Sequence, residues 1–450
     1  MTAVLPRTAE GAAPWRITAA PALTVIWAGA VAVLLLWWKD TNYVAGVAGW
    51  LTNAGRITGL LAGYLLAVLL ALMARVPALD RGVGTDRLAR WHAMLGRYTI
   101  SLAVAHTVLI IWGYAVTAHT DPVAETPTVV LSYVDVLMAT VALGLLVMVG
   151  VVSARAARRR LSYETWHFVH LYTYLAVALA FSHEFATGAD FVDNAPARWL
   201  WSAMYIAVAT TLCWFRMVRP VGQAFRHRMR VVAVQRVSPR ATSVWIGGRR
   251  LDVLTAEPGQ FFRWRFLTRD LWWAANPYSL SAAPTRDLLR ITVKEAGAHS
   301  RSLAGLRPGT RVVAEGPFGA FTGAARRRRK VLLLAGGVGI TPIRALFESI
   351  PARPGDLTLI YRAGDPADVL FAEELRTIAQ SRGAALFYAI GPRGGRPDPL
   401  DAMELTRLLP DIAAHEVYLC GPPGMAEVAR GQLRRAGVGH RHIHIESFTF

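Results

Sequence analysis

The first half of the chain alternates long apolar runs with short polar loops, whereas the second half has short apolar segments broken by glycine and proline. A helix needs roughly 20 apolar residues to cross a hydrocarbon core about 30 Å thick. Six runs approach or exceed that length, and they predict membrane helices near residues 20–38, 57–76, 92–117, 129–152, 166–187 and 198–217. The first run is too long for the apolar region of a signal peptide, so we expect it to remain in the membrane.

The second half shows the patterns of a soluble protein. Alternating segments after residue 230, such as QFFRWRF and LLRITVKE, predict the strands of a small antiparallel β-barrel. From residue 331 a buried strand, a glycine turn and a helix predict an α/β domain of the Rossmann-like type. We therefore predict a multidomain membrane protein with a six-helix transmembrane domain over 1–220, a β-barrel over 221–325 and an α/β domain over 326–450.

Composition and charge agree with a membrane part joined to a soluble part. Of the 450 residues 54% are hydrophobic, and the formal net charge is +19. Arginine is concentrated in the loops after the second, fourth and sixth predicted helices, which predicts a multi-pass protein of the plasma (inner) membrane with both termini cytoplasmic. The positive charge near the membrane favours the lipid bilayer as its partner, and we expect no nucleic-acid binding. Two cysteines, Cys213 and Cys420, make disulfides and cysteine-rich metal sites improbable.

Histidines inside the apolar runs are the first candidate site, because an ionisable side chain in lipid usually has a function. The third predicted helix carries His92 and His106, and the fifth carries His170 and His183. Fourteen residues of helix rise about 21 Å, so each helix has one histidine near each edge of the bilayer. The two helices run parallel, so His92 should face His170 at the inner level and His106 should face His183 at the outer level. Two imidazoles and no thiolate at each level fit bis-histidine haem ligation.

Three points about these histidines stay open. Imidazole also suits copper and zinc, but two ligands from separate helices leave a slot wide enough for a flat macrocycle, which favours haem. The histidines can instead form hydrogen bonds between helices without binding a metal. An ideal helix places His170 and His183 about 140° apart, so we expect a bulge or kink between them. His167 competes with His170 as the inner ligand.

The motif NPYSLSAAP at 276–284 is a candidate flavin site. The ring of Tyr278 can stack on one flavin face while Ser279 hydrogen-bonds a ring nitrogen. Two further stretches support it. GAHSRSL at 297–303, with Ser300, can open a short helix whose backbone N–H groups accept a pyrophosphate, and EGPFGAF at 315–321 gives a turn bounded by Gly316 and Gly319 that a ligand can approach closely.

The stretch VLLLAGGVGITP at 331–342 predicts a dinucleotide-binding loop. Gly337, Gly339, Thr341 and Pro342 follow a buried strand and open a helix, as phosphate binding by free helix N–H groups requires. At the end of the next strand, Arg362 can hold a 2′-phosphate, which favours NADPH over NADH. NADH remains an alternative.

Paired histidines on the third and fifth of six helices, followed by flavin and nicotinamide motifs, resemble the ferric reductase and NADPH oxidase superfamily of transmembrane cytochromes b. The spacings His92–His106 and His170–His183 match that family. The resemblance implies that these four histidines bind two haem b groups, which form an electron path across the membrane.

The soluble motifs follow the order of the ferredoxin-NADP reductase fold, in which the first motif reads Arg-x-Tyr-Ser, or His-Pro-Phe-Thr in the oxidases. Here Tyr278 and Ser279 match, but Asn276 replaces the basic residue. The resemblance therefore implies that FAD is bound, but that its pyrophosphate lacks one positively charged partner at position 276. Arg263 or Arg301 can supply that positive charge.

The resemblance also assigns roles near the C-terminus. In VYLCGPPGM at 417–425, Cys420 and Gly421 match the Cys-Gly-Pro sequence beside the nicotinamide, where the cysteine helps to align hydride transfer to the flavin. The terminal aromatic residue, Phe450, matches the one that covers the flavin until nicotinamide displaces it. The catalytic set expected by resemblance is Cys420, Phe450 and Ser279.

The predicted function is a transmembrane oxidoreductase that passes electrons from cytoplasmic NAD(P)H through FAD and two bis-histidine haems to an extracytoplasmic acceptor. That acceptor is oxygen, giving superoxide, or a ferric chelate. The chain can instead be a membrane-tethered flavoprotein reductase that serves a separate redox partner, with structural histidines. A channel or transporter with a nucleotide domain is a weaker alternative, because acidic residues suited to a relay are scarce in the helices and Asp135 is the clearest. The run ARRRRK at 325–330 fits either a solvated surface or lipid headgroups.

Overall fold

The computed structural model describes residues 15–39, 41–154, 161, 163–192, 194–391 and 400–446. The chain divides into two compact units, Met1–Met217 and Val218–Phe450. Each unit has its own hydrophobic core. The finer boundaries at 220/221 and 325/326 stay predictions.

The described part of the first unit is helical. Its α-helices, in chain order, are α1 (Ala19–Trp38), α2 (Gly46–Leu72), α3 (Pro77–Gly82), α4 (Thr85–Ala118), α5 (Pro122–Ser132), α6 (Val136–Ser153), α7 (Tyr163–Thr187), α8 (Ala189–Val192) and α9 (Ala195–Cys213). The most extensive helix contacts join α2 to α4 and α6 to α7, so the bundle contains two closely packed helix pairs.

Four helices among the described residues, α1, α2, α4 and α6, are long and apolar enough to cross a membrane. The other two long helices, α7 and α9, have 25 and 19 residues, but histidines and aromatic or hydroxyl side chains lower their apolar content. All six predicted runs are largely helical, but α2 ends at Leu72, short of the predicted residue 76. The fourth run is divided between α5 and α6 at 133–135, where Asp135 has a φ of +62°. The count of six spans stays a prediction.

Helix α2 begins well before the predicted start at residue 57. The reason is an ion pair that the hydrophobic pattern does not contain: Arg56 lies 2.6 Å from Asp190, and the Asp190 side chain is only 4% exposed. Because the charge is neutralised inside the bundle, the helix continues through Arg56 to Gly46. Helix α4 likewise begins earlier than predicted, at Thr85.

The second unit begins with helix α10 (Arg219–His227) and two small antiparallel sheets, and α10 packs on the strand Val312–Phe318. Their strands are β1 (Arg230–Ser238), β2 (Ala241–Gly247), β3 (Phe261–Phe266), β4 (Asn276–Ser279), β5 (Leu288–Lys294) and β6 (Val312–Phe318). The sheet orders are β1-β2-β5 and β4-β3-β6, and a short helix α11 (Ala298–Ser302) follows β5. Isolated bridges pair Arg230 with Arg311 and Leu280 with Ile291. Two three-stranded sheets thus stand where a barrel was predicted, and its closure stays a prediction.

The strand periodicity of this part is clear in β3. Its alternate residues Phe262, Trp264 and Phe266 have no solvent exposure. Successive side chains of a strand point to opposite faces, so one face of β3 forms the core below the flavin motif.

The last part is a five-stranded parallel sheet with helices, which confirms the predicted α/β class. Its strands are β7 (Lys330–Gly336), β8 (Leu357–Ala363), β9 (Ala385–Ile390), β10 (His415–Cys420) and β11 (Ile443–Glu446), in the order β11-β10-β7-β8-β9. Its described helices are α12 (Ile340–Ser349), α13 (Ala372–Arg382), α14 (Ala402–Leu408) and α15 (Pro423–Arg435). The run Val331 to Ala335 is fully buried, as expected for a central parallel strand.

The basic run 325–330 contacts its own sheet. The Arg328 guanidinium donates to the carbonyl of His415 at 3.3 Å, Arg329 lies 3.5 Å from Asp356, and Lys330 pairs with Asp411. These partners lie at or just before the amino ends of β8 and β10. Several of its side chains therefore bind loops of the α/β domain.

Candidate functional site

Two pairs of imidazole rings lie between helices α4 and α7. The ring centroids of His92 and His170 are 6.0 Å apart, and those of His106 and His183 are 6.3 Å apart. The structure thus brings together the same two pairs that the sequence pattern predicts. We call His92 and His170 the first pair, and His106 and His183 the second pair.

Hydrogen bonds orient three of the four rings. The Nδ1–H of His92 donates to the carbonyl of Leu69 at 3.2 Å, and that of His106 donates to the carbonyl of Gly55 at 2.8 Å. His183 Nδ1 lies 3.0 Å from the hydroxyl of Thr187. When Nδ1 carries the proton, Nε2 has the free lone pair that a metal requires.

The fourth ring, His170, is held by stacking. It lies 5.1 Å from the ring of Trp166 with an interplanar angle of 25°. Its Nδ1 is buried and has no hydrogen-bond partner within the described part of the chain. The competing residue His167 lies on the same helix, and its ring contacts Trp166 at 6.4 Å.

The expected bulge between His170 and His183 is not there. Helix α7 is continuous α-helix from Tyr163 to Thr187, so the expectation of a bulge is wrong, while a kink stays a prediction. Both pairs form nonetheless. Helix α7 therefore brings both of its histidines to histidines of α4 without a bulge.

The distances within the pairs fit a haem iron. Two iron–nitrogen bonds of about 2 Å, plus about 1.1 Å from each nitrogen to its ring centre, place the centroids of two axial imidazoles roughly 6 Å apart. The observed 6.0 and 6.3 Å agree with this value. The donor set of neutral imidazoles without thiolate is also that of a b-type haem.

A glycine row on α2 makes room for the second pair. A Cβ atom at Gly59 would lie 2.6 Å from Nδ1 of His106, and one at Gly63 would lie 2.3 Å from a carboxylate oxygen of Glu184. Gly55 similarly faces Ile110. Glycines four residues apart share one helix face and let neighbouring groups approach closely. The sequence contains this signal, but the histidine pattern alone did not reveal it.

The second pair borders a cavity with about 1490 Å³ of empty volume, part of it open to the surroundings. Its lining is mainly apolar and includes Arg56, Glu184 and Asp190. Trp201 Nε1 donates to Glu184 at 2.7 Å. The space beside the second pair is therefore an apolar cavity with charged groups at its edge.

The flavin motif lies on β4. Tyr278 pairs with Phe262 across the sheet, and Trp264 Nε1 donates to the Tyr278 carbonyl at 3.0 Å. Burial raises the pKa of Tyr278 to about 12, so the phenol stays protonated. Ser279 pairs with Phe261 and is buried. The motif is therefore held rigidly by β3, as a stacking surface requires.

Asn276 begins β4, and an arginine stands beside it. Arg263 pairs with Pro277, and its guanidinium donates twice to the carbonyl of Ala275, at 3.0 and 3.3 Å. Burial lowers the pKa of Arg263. The structure thus places one of the two candidate replacement charges next to Asn276. The other, Arg301, lies on α11 and is exposed.

The remaining residues of the predicted flavin site lie in tight turns. The Ser300 hydroxyl accepts from the backbone N–H groups of Ala296 and Gly297 at 2.8 and 3.0 Å, which closes the turn before α11. Gly316 and Gly319 have φ angles of +149° and +96°, which side chains rarely adopt. A Cβ at Gly316 would also lie 2.7 Å from the Phe262 ring, so glycine is required there.

The glycine turn after β7 meets the end of β10. A Cβ at Gly339 would lie 2.3 Å from the Cys420 carbonyl oxygen, and Cα of Gly336 lies 3.3 Å from the Cβ position of Gly421. Gly337 has a φ of +53°, and its carbonyl accepts from the Tyr361 hydroxyl at 3.1 Å. The dinucleotide loop and the Cys-Gly-Pro sequence therefore form one site.

The other residues of the predicted nucleotide site have defined places in this region. Thr341 is buried in the first turn of α12 and donates to the Val338 carbonyl at 3.0 Å, and Pro342 is buried beside it. Arg362 ends β8, and its guanidinium donates to the carbonyls of Ala389 and Gly391 at 3.1 and 3.0 Å. Phe450 lies outside the described residues.

The sequence pattern did not identify a buried group of arginines between the flavin strands and the α/β sheet. Arg290 and Arg344 are largely buried, with Glu374 as a common partner. The signal was present in the sequence. Each arginine interrupts an apolar segment, LLRITVK in one case and ITPIRALF in the other.

Comparison with known proteins matches both halves of the chain. The family model "Ferric reductase like transmembrane component" matches residues 58–181, a range that contains His92, His106 and His170 and ends just before His183. The model "Oxidoreductase NAD-binding domain" matches residues 333–431, which contain the glycine turn and Cys420.

Individual relatives match part of the chain. The ferredoxin reductase component of 3-ketosteroid-9-alpha-monooxygenase from Mycolicibacterium smegmatis is 35% identical over 44% of this chain and 57% of its own length. Ferredoxin–NADP reductase B from Sorangium cellulosum is 31% identical over 38% of this chain and 77% of its own length. The solved FAD/NAD-binding domain of nitric oxide dioxygenase from Vibrio cholerae is 27% identical, covering 49% of this chain and 98% of that one with a TM-score of 0.41.

The chain thus spans little more than half of the first of these relatives. With both family models on one polypeptide, the chain belongs to the ferric reductase-like fusions, in which a ferric reductase-like transmembrane component is joined to an oxidoreductase module of the FAD- and NAD(P)-binding type.

Proposed function

We propose that the protein is a transmembrane oxidoreductase that takes electrons from cytoplasmic NAD(P)H and delivers them to an acceptor on the other side of the membrane. The path uses FAD and two b-type haems. The observation that carries the proposal is the presence of two imidazole pairs on the same two helices, with centroid separations of 6.0 and 6.3 Å.

In this proposal His92 and His170 bind one haem, and His106 and His183 bind the other. When bound, the flavin and haems convert a two-electron donor into single-electron transfers along a chain of redox centres. The helix-side hydrogen bonds from Nδ1 of His92 and His106 keep Nε2 directed to the metal. The glycine at position 59 keeps the His106 ring close to α2.

In the soluble unit Tyr278 stacks on the flavin and Ser279 hydrogen-bonds its ring. Ser300, Gly316 and Gly319 shape the turns that take the FAD pyrophosphate, and Arg263 supplies the charge that Asn276 lacks. For the nicotinamide nucleotide, Gly337, Gly339, Thr341 and Pro342 form the phosphate loop, and Cys420 and Gly421 line the nicotinamide. Arg362 favours NADPH through its 2′-phosphate. Phe450 covers the flavin until the nicotinamide displaces it.

The geometry of ligation restricts the acceptor. Two histidines would hold each haem iron, so an acceptor would receive its electron without binding the metal. Oxygen, giving superoxide, and ferric chelates both meet this condition. We place the protein in the plasma (inner) membrane with six spans and both termini cytoplasmic, in accordance with the arginine-rich loops.

An absorption spectrum of the purified full-length protein tests this function. We expect flavin and b-type haem bands in the oxidised protein, and reduced haem bands after anaerobic addition of NADPH. A protein that contains flavin but no haem after expression with ample haem supply would refute the proposal.

One observation favours a second function, a membrane-tethered reductase that serves a separate redox partner. The relative from Mycolicibacterium smegmatis is named as a ferredoxin reductase component of a monooxygenase. In that case the histidines are structural, and NADPH reduces the flavin only. The same spectrum separates the two functions, because this alternative predicts no haem absorbance.

A further inference from the structure

We propose that five residues of the second unit hold the nicotinamide side of the active site in register with the flavin side. This inference rests on the proposed function and concerns its hydride-transfer step. The five residues, which we call the Ser281 clamp, are Ser281, Arg290, Arg344, Glu348 and Glu374. They are positioning residues that act through Ser279 and Cys420.

The two arginines of the clamp hydrogen-bond the chain within the flavin motif, directly after Tyr278 and Ser279. The carbonyl of Ser281 accepts from Arg290 at 2.6 Å and from Arg344 at 3.2 Å. The Ser281 hydroxyl accepts from Nε of Arg290 at 3.1 Å. Ser281 follows Ser279 by only two residues. The backbone that carries the flavin-side hydroxyl is therefore fixed by two guanidinium groups.

Two carboxylates complete the clamp from the α/β domain. Glu374 on α13 lies 3.0 Å from Arg290 and 2.7 Å from Arg344. Glu348 on α12 lies 2.7 Å from Arg344 and accepts from the backbone N–H of Ala283 at 2.9 Å. Two positive and two negative groups thus balance. Each carboxylate connects a helix of the α/β domain to the flavin strands or to the segment after them.

Burial shows that the clamp is not an ordinary surface pair. The side chains of Arg290 and Arg344 are 4% and 8% exposed. The Arg290 guanidinium also lies 5.0 Å from the ring of Trp245 on β2 and 4.9 Å from that of Phe371, which precedes α13. The carboxylate partners Glu374 and Glu348 are 37% and 38% exposed, so the buried groups are the two guanidiniums. A buried guanidinium demands one geometry of its partners, because its planar fork donates in fixed directions. A fixed geometry between two cofactor-binding parts is what hydride transfer requires.

A short path of contacts leads from the clamp to Cys420. Arg344 lies in the second turn of α12, which begins at Ile340 directly after Gly339. The Cβ position of Gly339 is 2.3 Å from the Cys420 carbonyl oxygen, so this backbone packs against Cys420 without a gap. The path Ser279–Ser281–Arg344–Gly339–Cys420 therefore joins the backbone that carries Ser279 to the backbone of Cys420 through the start of α12.

The clamp matters because hydride transfer is sensitive to distance. With both cofactors bound, the nicotinamide would give a hydride, with its two electrons, to the flavin, leaving the oxidised nucleotide and the reduced flavin. The reacting atoms must approach within about 3–3.5 Å, and a misplacement of about 1 Å can cost roughly 100-fold in rate. Loosening the clamp should therefore slow the transfer without weakening nucleotide binding.

The test compares two substitutions on neighbouring residues of α13. Glu374→Gln removes the shared carboxylate charge of the clamp. Glu373→Gln is the matched control, because Glu373 is 84% exposed and pairs with a surface residue, Arg376, at 2.8 Å. Flavin reduction by NADPH is followed in the full-length flavin-loaded protein by anaerobic stopped-flow absorbance. We expect Glu374→Gln to lower the limiting rate at least tenfold, with the NADPH dissociation constant within twofold of wild type. Glu373→Gln should stay within twofold in both quantities.

A readout without turnover accompanies the kinetics. Hydrogen–deuterium exchange of the flavin-loaded protein should be faster in Glu374→Gln for the segments 279–284 and 340–348, and unchanged in Glu373→Gln. The exchange measurement tests the clamp even if NADPH does not reduce the flavin. A lack of flavin reduction would refute the proposed function and not the clamp. If Glu374→Gln does not fold, Arg344→Lys replaces it, because lysine keeps the charge but lacks the fork that reaches Ser281, Glu348 and Glu374 together.

Three outcomes would overturn the clamp. The first is a limiting rate for Glu374→Gln that is within twofold of the control. The second is a loss of rate that matches a loss of bound flavin. The third is unchanged exchange in both segments.

Discussion

Gly59 has no side chain, and this allows the His106 ring to lie close to helix α2. Alanine at position 59 would place a methyl group 2.6 Å from the ring nitrogen that bonds to the Gly55 carbonyl. The ring would have to move away from α2, and its distance to His183 would change. We expect Gly59→Ala to lose the second haem while the first haem remains.

The measurement is the haem content per polypeptide together with the reduced spectrum. Gly144→Ala is the matched control, because it lies in the spanning helix α6 and its Cβ position has no neighbour within 4 Å among the described residues. Equal haem content in both variants would contradict the assignment of His106 as a ligand.

Arg362 offers a test of nucleotide choice. Its guanidinium donates to the carbonyls of Ala389 and Gly391 at the end of β9. In dinucleotide-binding α/β folds an arginine near this position can bind the 2′-phosphate of NADPH. We expect Arg362→Ala to raise KM for NADPH about tenfold, equivalent to about 1.4 kcal/mol. KM for NADH should change less than twofold. Equal losses for the two nucleotides would mean that Arg362 only supports β9.

At the scale of elements, the edge strand β11 depends on one buried carboxylate. Glu416 on β10 has no solvent exposure, and it lies 3.1 Å from His442 Nδ1 and 2.6 Å from His444 Nε2. It also accepts from the backbone N–H of Arg327 at 3.1 Å. His444 in turn lies 4.8 Å from the Tyr418 ring, in a stacked arrangement. These contacts attach the last described strand to the sheet.

The pKa of Glu416 gives the expected pH dependence. Burial raises this pKa, but hydrogen bonds from His444 and His442 outweigh burial and hold it below the ordinary value of 4.5. A carboxyl group whose pKa is lowered by folding stabilises the fold above its unfolded pKa, and this contribution disappears as the pH falls through the folded pKa. Attachment of β11 should therefore be full above about pH 4.5 and weaken below it.

Glu416→Gln tests this attachment. At pH 7 we expect hydrogen exchange in residues 443–446 to be about tenfold faster than in wild type, which corresponds to about 1.4 kcal/mol. The ratio between variant and wild type should approach one as the pH falls below 4.5, because the wild-type carboxylate is then protonated as well. Glu427→Gln, which alters an exposed pair with Arg430, is the control. A ratio that does not depend on pH would show that charge is not what holds β11.

The elements also show what a sequence can predict. Strand β7 and the apolar helices follow from local periodicity, and the histidine pairs follow from spacing within two helices. The start of α2 does not, because it depends on an ion pair between Arg56 and Asp190 that are far apart in the chain. The Ser281 clamp is hidden for the same reason. Its partners come from four separate elements or turns, and only the fold brings them within hydrogen-bonding distance.

At the scale of the whole molecule, the proposed function requires direction as well as redox chemistry. The nucleotide site and the histidine pairs lie on two compact units of one chain. In sealed vesicles, NADPH supplied only on the side of the nucleotide domain should reduce a membrane-impermeant ferric chelate on the opposite side. The same vesicles in air should produce superoxide on that opposite side if oxygen is the acceptor.

His106→Leu separates the two parts of this activity. Leucine keeps a similar volume but removes the imidazole that would hold the proposed second haem, so electrons should reach the first pair and go no further. We expect delivery to the opposite side to fall to the background rate of empty vesicles, while NADPH-driven reduction of a soluble dye on the nucleotide side stays within about twofold of wild type, since Cys420 and the flavin strands are untouched. Loss of both activities would indicate misfolding, which the flavin content would reveal. Electron delivery that His106→Leu retains would exclude His106 as a haem ligand. It would also show that electrons cross the bundle without the second haem, because the imidazole pair with a centroid distance of 6.3 Å would then be dispensable.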